Sequence, residues 1–179
     1  MPNYLCKMSI SIATKQDVPQ LVALMNSAYR GEGSKKGWTT EADLLEGELR
    51  TDEPSLNELM AKPDATILKY TTAEGTLGGC VLLEKQERGI YLGMLTVSPE
   101  IQAGGIGRKM LQAAEVHAKE QGAACIFMSV ISVRTELIAW YERNGYYKTG
   151  ETKPFPADER FGVPTQPLEF IIMEKAINY

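Results

Sequence analysis

The sequence is poor in the residues that bind metals and form disulfides. It contains one histidine, His117, and three cysteines, Cys6, Cys80 and Cys125, which lie far apart along the chain. Zinc sites usually combine cysteine and histidine in closely spaced pairs, and no such spacing occurs here. We therefore predict no metal site, and we expect buried or half-buried thiols in a reducing compartment. His117 falls in the middle of a predicted helix, where we expect a structural histidine rather than a catalytic base.

Long apolar runs and a strong excess of one charge are also missing. No segment approaches the roughly 20 apolar residues of a membrane span, and the first residues carry no signal-peptide pattern. The formal net charge is −4 and the isoelectric point is about 5.2, which does not favour broad binding to a phosphate backbone. These features predict a cytoplasmic protein, monomeric or homodimeric, that binds neither membranes nor nucleic acids.

The hydrophobic residues that are present suffice for one domain. The chain has 179 residues, of which 44% are hydrophobic, and we find no repeat or linker that would divide residues 1–179. Apolar and alternating segments predict strands over 8–14, 65–72, 80–86, 90–97, 124–132, 146–152 and 168–175. Capping and helical periodicity predict helices over 15–29, 44–50, 105–121 and 135–144, with a short one after Pro54. The order of elements indicates an α+β fold, a mixed sheet with helices on both faces.

A glycine cluster lies where the chain passes from the strand at 90–97 into the long helix at 105–121. Gly104, Gly105 and Gly107 stand at the start of that helix, although a glycine inside a helix costs roughly 0.5–1 kcal/mol relative to alanine. The first amides of a helix lack partners and carry the positive end of its dipole, so bare glycines allow an anion to approach them. The cluster fits neither a Walker A loop nor a dinucleotide fingerprint. It predicts a phosphate-type ligand, and a glycine turn that only lets the helix pack closely is the alternative.

Two motifs resemble the GNAT superfamily of N-acetyltransferases. Residues 102–107, QAGGIG, match the superfamily signature Q/R-x-x-G-x-G/A at the start of the central helix. Residues 137–151, LIAWYERNGYYKTGE, are similar to its Y-E-x-x-G-F/Y stretch. The order of elements also agrees, so the resemblance covers nearly the whole chain. It implies a mostly antiparallel sheet of about seven strands and an acetyl-CoA-dependent enzyme.

The resemblance implies where acetyl-CoA binds. In similar proteins the cofactor lies in a V-shaped opening, here between the strands predicted at 90–97 and 124–132. The strand backbone would contact the pantetheine arm, and the helix start would hold the pyrophosphate. The implied residues are Leu95, Thr96 and Val97 for the arm, and Gln102, Ala103, Gly104, Gly105, Ile106, Gly107 and Arg108 for the pyrophosphate.

Catalytic roles follow from the same resemblance. Tyr141 matches the superfamily tyrosine that acts as general acid for the CoA thiolate, and a backbone N–H near Leu95 would stabilise the oxyanion. Glu84 and Tyr91 are candidate bases acting through water, with a solvent-facing strand residue as the alternative for Glu84. Arg134 stands where many relatives have asparagine, so a pantetheine contact is not transferred to it. It could instead reach a CoA phosphate or a substrate carboxylate, or be a solvated surface charge.

The amine site is expected around the loop after the first helix. Tyr29, Trp38 and Glu41 would form a pocket wall with an acid for the amine, although Trp38 could instead anchor its loop on the sheet. The loop at 153–167, with Phe155 and Phe161, would cover the other side. We expect acetyl transfer to a small primary amine by direct attack. The alternatives are a module that binds acyl-CoA without turnover and an enzyme for protein or peptide amines.

Overall fold

The computed structural model describes residues 9–101 and 104–179. The expectations for Cys6, Gln102 and Ala103 fall outside these residues. The strands are β1 (Ser9–Ile12), β2 (Leu45–Glu46), β3 (Ala65–Thr71), β4 (Leu77–Lys85), β5 (Ile90–Val97), β6 (Cys125–Ile131), β7 (Tyr147–Pro154), β8 (Val163–Pro164) and β9 (Glu169–Ala176). The α-helices are α1 (Val18–Tyr29), α2 (Gly31–Ser34), α3 (Glu53–Met60), α4 (Ile106–Glu120) and α5 (Thr135–Arg143).

A mixed sheet of seven strands organises the chain. Its order is β1-β3-β4-β5-β6-β9-β7, and every neighbouring pair is antiparallel except β5 and β6, which are parallel. The α+β fold class predicted from the sequence is confirmed. No helix in the described part of the chain has both the length and the apolar character that a membrane span requires.

Helices cover both faces of this sheet, as predicted. On β4, Val81 packs in the same cluster as α4 and α5, whereas Cys80 packs in the cluster that contains α1 and α3. Successive side chains of a strand point to opposite faces, so these two clusters are the two sides of one sheet. Burial also raises the pKa of the Cys80 thiol to about 12, which agrees with an unreactive core cysteine.

Strands β5 and β6 pair only at their first residues and then separate. Ile90 pairs with Ile126 and Tyr91 with Phe127, and no later pair joins the two strands. β5 also contains a bulge, because Cys80 and Leu82 of β4 face Thr96 and Gly93. Met94, in that bulge, has φ 51°, in the left-handed region that side chains rarely adopt. The divergence and the bulge together create the opening that the resemblance implied.

The segment between α1 and α3 differs from the prediction. The helix expected over 44–50 is absent, and Leu45–Glu46 forms β2, which pairs antiparallel with β8. Gly47, with φ 120°, ends this pairing in a conformation that no helix contains. The loop expected after the first helix contains the short helix α2. The capping box of Thr14 and Asp17 does form, and a 3₁₀ turn there leads into α1.

Candidate active site

The divergence of β5 and β6 opens two adjoining cavities. The large cavity has a volume of about 300 Å³ and extends between β5, β6 and the loop after β7. The small cavity has a volume of about 150 Å³ and extends to the start of α4. Both are lined by the same five residues, which therefore mark their junction: Tyr29, Leu95, Arg134, Leu137 and Tyr141.

The start of α4 borders the small cavity. Gly105 precedes the helix with φ 68°, and a Cβ built on it would meet no atom of the described residues within 4 Å. Gly107, Arg108 and the backbone segment Leu95–Val97 also line this cavity. Ile106 instead turns its side chain into the core, where it is 5% exposed. No side chain of the described residues would thus obstruct an anion that approaches the first amides of α4 at Gly105.

Gly107 has a different role from Gly105. A Cβ on Gly107 would lie 3.3 Å from the ring of Trp140, which is tighter than an ordinary contact. The close-packing alternative therefore accounts for Gly107, whereas open space remains at Gly105. Trp140 is half-buried and lines the small cavity. Trp38 packs on it with ring centres 6.1 Å apart, and it lines the small cavity but not the large one.

Tyr141 lies at the junction because α5 packs against the sheet beside the opening. It is 5% exposed, and its ring contacts those of Trp140 and Tyr146 edge-on. No hydrogen bond joins its hydroxyl to the residues described. Burial raises the pKa of this phenol far above its usual range, so it keeps its proton at neutral pH. The structure thus places a protonated hydroxyl donor where the two cavities meet.

The β5 bulge at this junction is held by Tyr29. The Tyr29 hydroxyl, from the last turn of α1, donates to the carbonyl of Leu95 over 2.5 Å. Thr96 adds a second bond, since its hydroxyl donates to the carbonyl of Met94 over 2.8 Å. Burial and the nearby Glu41 carboxylate raise the pKa of Tyr29 to about 12. Tyr29 therefore remains a donor that fixes the backbone of Leu95.

Glu41 lines the large cavity, but its carboxylate is already engaged. Arg30 donates to Glu41 Oε2, and Arg134 donates to Oε1 over 3.0 Å. All three side chains are buried, with 4%, 7% and 6% of Arg30, Glu41 and Arg134 exposed. The expectation of a free acid for the amine is therefore not met. Arg134, whose role the sequence left open, bridges Glu41 and the hydroxyl of Thr39, 2.8 Å away.

The candidate bases differ in whether they line a cavity. Glu84 lies at the far end of β4, where Lys62 Nζ is 3.1 Å from its carboxylate, and it lines neither cavity. His117 lies on α4 and also lines neither cavity. Tyr91 does line the large cavity, and so do Phe155 and Phe161 of the expected covering loop.

Two further residues that line the large cavity, Arg50 and Phe170, were not predicted from the sequence, because they belong to no motif that would have marked them.

Comparison with known proteins identifies the class of protein. The model of the acetyltransferase (GNAT) family matches residues 23–146, and the chain belongs to this family. It is similar to an "IAA acetyltransferase" of Azospirillum brasilense, with 27% identity over 103 residues that cover 56% of this chain and 67% of that protein.

Solved structures share the fold. The ribosomal-protein-S18-alanine N-acetyltransferase of Escherichia coli superposes with a TM-score of 0.70 at 16% identity, covering 96% of this chain and 95% of that chain. The structure of yncA from Salmonella typhimurium with its cofactor acetyl-CoA gives a TM-score of 0.66 at 17% identity, covering 97% and 95%. At such identities the likeness is one of fold.

Proposed function

We propose that this protein transfers an acetyl group from acetyl-CoA to the primary amine of a small molecule. The observation that carries the proposal is the junction of the two cavities at Leu95 and Tyr141. One cavity leads to the open helix start, which suits a diphosphate, and the other provides a separate space for an acceptor. Family membership and the neighbour solved with acetyl-CoA support the choice of donor.

The residues of the small cavity fit coenzyme A. Gly105 leaves the amides of α4 open, and Arg108 adds a positive charge beside them. Among the described residues, β5 pairs with β6 only at Ile90 and Tyr91, so the later part of β5 borders the opening in which the pantetheine arm would lie. We propose Leu95, Thr96 and Val97 for the arm, and Gly104 to Arg108 with Gln102 and Ala103 for the diphosphate.

Acetyl-CoA supplies an activated thioester, and the chain orients the partners and moves protons. The amine attacks directly, so a C–N bond forms while the C–S bond breaks. Tyr141 gives its proton to the departing sulfur, and the proton released by the amine passes to water in the large cavity and restores the phenol. The bulge that Tyr29 holds positions the backbone of Leu95 at this point.

The size of the large cavity favours a small acceptor over a protein. Its volume of about 300 Å³ is at the lower limit of small-molecule sites. Phe155 and Phe161 of the loop after β7 form one of its walls. Release of free CoA thiol with an amine from a panel would support turnover. Binding of acetyl-CoA without release by any amine would favour the module that only binds acyl-CoA.

Gly105→Leu should weaken acetyl-CoA binding about ten- to hundredfold, because the side chain would block charge-assisted bonds between the helix start and phosphate. The matched control is Gly122→Leu at the other end of α4. Gly122 has φ 67° and equally open space, so both variants impose the same backbone strain. Calorimetric titration measures both affinities. Equal affinities for the two variants would contradict this location of the diphosphate.

Tyr29→Phe should lower kcat by about two- to tenfold, since one hydrogen bond contributes about 0.5–1.5 kcal/mol to holding the Leu95 carbonyl. Tyr179→Phe is the control, because that hydroxyl also donates to a backbone carbonyl, of Ala123 over 2.9 Å, and neither residue lines a cavity. Steady-state kinetics measures kcat for both variants. An unchanged kcat in Tyr29→Phe would remove Tyr29 from the site.

A further inference from the structure

Positively charged side chains outnumber negatively charged ones around the large cavity. Three arginines line it, Arg30, Arg50 and Arg134, against two carboxylates, Glu41 and Asp158. Asp158 is already bound by Arg160, whose Nη2 lies 2.7 Å from its carboxylate. Glu41 is shared by two arginines. Neither acid is therefore free to hold a cationic substrate.

Arg50 is the cation left over. It is half-buried, and its guanidinium lies over the ring of Tyr29, 5.5 Å from the ring centre. Among the residues that the structure describes, no carboxylate lies within ion-pair distance of Arg50. An unpaired arginine beside a water-accessible cavity is suited to a planar anion, which its guanidinium can bind through two parallel hydrogen bonds.

Arg30 and Arg134 add to the same imbalance. Both side chains are more than nine-tenths buried, and the Nε atom of each is buried without a hydrogen-bond partner among the described residues. Buried polar groups are normally paired, so these two arginines have more donors than the protein supplies with acceptors. Both arginines with surplus hydrogen-bond donors line the large cavity.

Much of the remaining lining is apolar or aromatic. Phe155 stacks on Phe170 with ring centres 5.1 Å apart, and Tyr91, Met94 and Phe161 line the same space. A ligand that satisfies the whole cavity thus combines an anionic group with an apolar body.

We propose that the acceptor is a small primary amine that also carries a carboxylate and an apolar side chain, with the carboxylate held by Arg50 beside the Arg30–Glu41–Arg134 cluster. This inference rests on the proposed function, because the amine must reach the junction at Tyr141. The cationic wall also disfavours the ammonium form of the bound acceptor, and direct attack requires the neutral amine. One cluster thereby selects the substrate and favours its reactive form.

The first test compares each amino acid with its own amide. L-leucine and L-phenylalanine should give kcat/KM values at least about tenfold above those of L-leucinamide and L-phenylalaninamide, because only the acids form the charge-assisted bonds. The comparison is stringent, since the amides have the larger fraction of neutral amine at pH 7. Equal or higher kcat/KM for the amides would overturn the proposal.

The second test removes the charge of Arg50. Arg50→Met should raise the KM of the amino acids at least about tenfold while the KM of the amides changes little. Arg50→Lys should restore part of the loss, because it keeps the charge without the planar fork. If Arg50→Met raised KM equally for acids and amides, the carboxylate would not lie at Arg50 and the proposal would be wrong.

A binding measurement separates failure of this inference from failure of the proposed function. N-acetyl-L-phenylalanine and its amide are titrated into the protein without acetyl-CoA. Preference for the acid supports the anion site even if no amine releases CoA thiol, in which case only acetyl transfer fails. Thiol release with neutral amines and no preference for the acid would leave acetyl transfer standing and reject the carboxylate.

Discussion

Tyr141→Phe should lower kcat by about 10²–10⁴-fold, the usual contribution of a positioned general acid, and leave acetyl-CoA affinity close to that of the wild type. The substitution removes one oxygen and keeps the ring, together with its edge-on contacts with Trp140 and Tyr146. The rate falls because the departing thiolate then has no proton donor. Steady-state release of CoA thiol measures kcat, and calorimetric titration measures the affinity for acetyl-CoA.

Tyr146→Phe is the matched control. The ring centre of Tyr146 lies 5.8 Å from that of Tyr141, and Tyr146 is 2% exposed. Its hydroxyl is buried without a hydrogen-bond partner among the described residues. It lines neither cavity, so kcat should stay at the wild-type level. Removal of an unsatisfied buried hydroxyl can even stabilise the fold. An equal loss of kcat in both variants would show that Tyr141 acts through packing and not as an acid.

Local sequence patterns predicted most of the strands and helices. The strand predicted at 80–86 and the continuous apolar run at 124–132 correspond to β4 and β6, and the helical period after the glycines corresponds to α4. These signals are local because strand and helix periodicity is repeated every few residues. The junction could be anticipated only through the resemblance, since Leu95 and Tyr141 belong to elements that are far apart in sequence.

The errors concern contacts between distant residues. β2 forms because Leu45 meets Pro164 of β8, a pairing that no short window of sequence contains. Glu41 similarly resembled a free acid, because its partner Arg134 lies 93 residues further along the chain. At Gly107 the pattern could not distinguish open space from space filled by Trp140. In each case tertiary contacts decided what the local pattern left open.

Glu41→Ala should lower the free energy of unfolding by about 3–5 kcal/mol, because it leaves two buried guanidinium groups without their shared carboxylate. Arg30 and Arg134 are 4% and 6% exposed, so water cannot readily replace the lost oxygens. For a chain of this size the melting temperature should fall by roughly 10 °C. Denaturant titration and thermal melting measure the change.

Glu32→Ala provides the control in the same region. Glu32 is paired with Lys35 at 2.9 Å, but its side chain is 89% exposed, so its loss should not change stability measurably. A double variant, Glu41→Leu with Arg134→Met, tests the cause further. Its loss of stability should be smaller than the sum of the losses in the two single variants, because the double variant removes both members of one ion pair and leaves neither of these two charges unpaired. If the losses were simply additive, the destabilisation would come from packing, and the cluster would not act as a coupled ionic wall of the cavity.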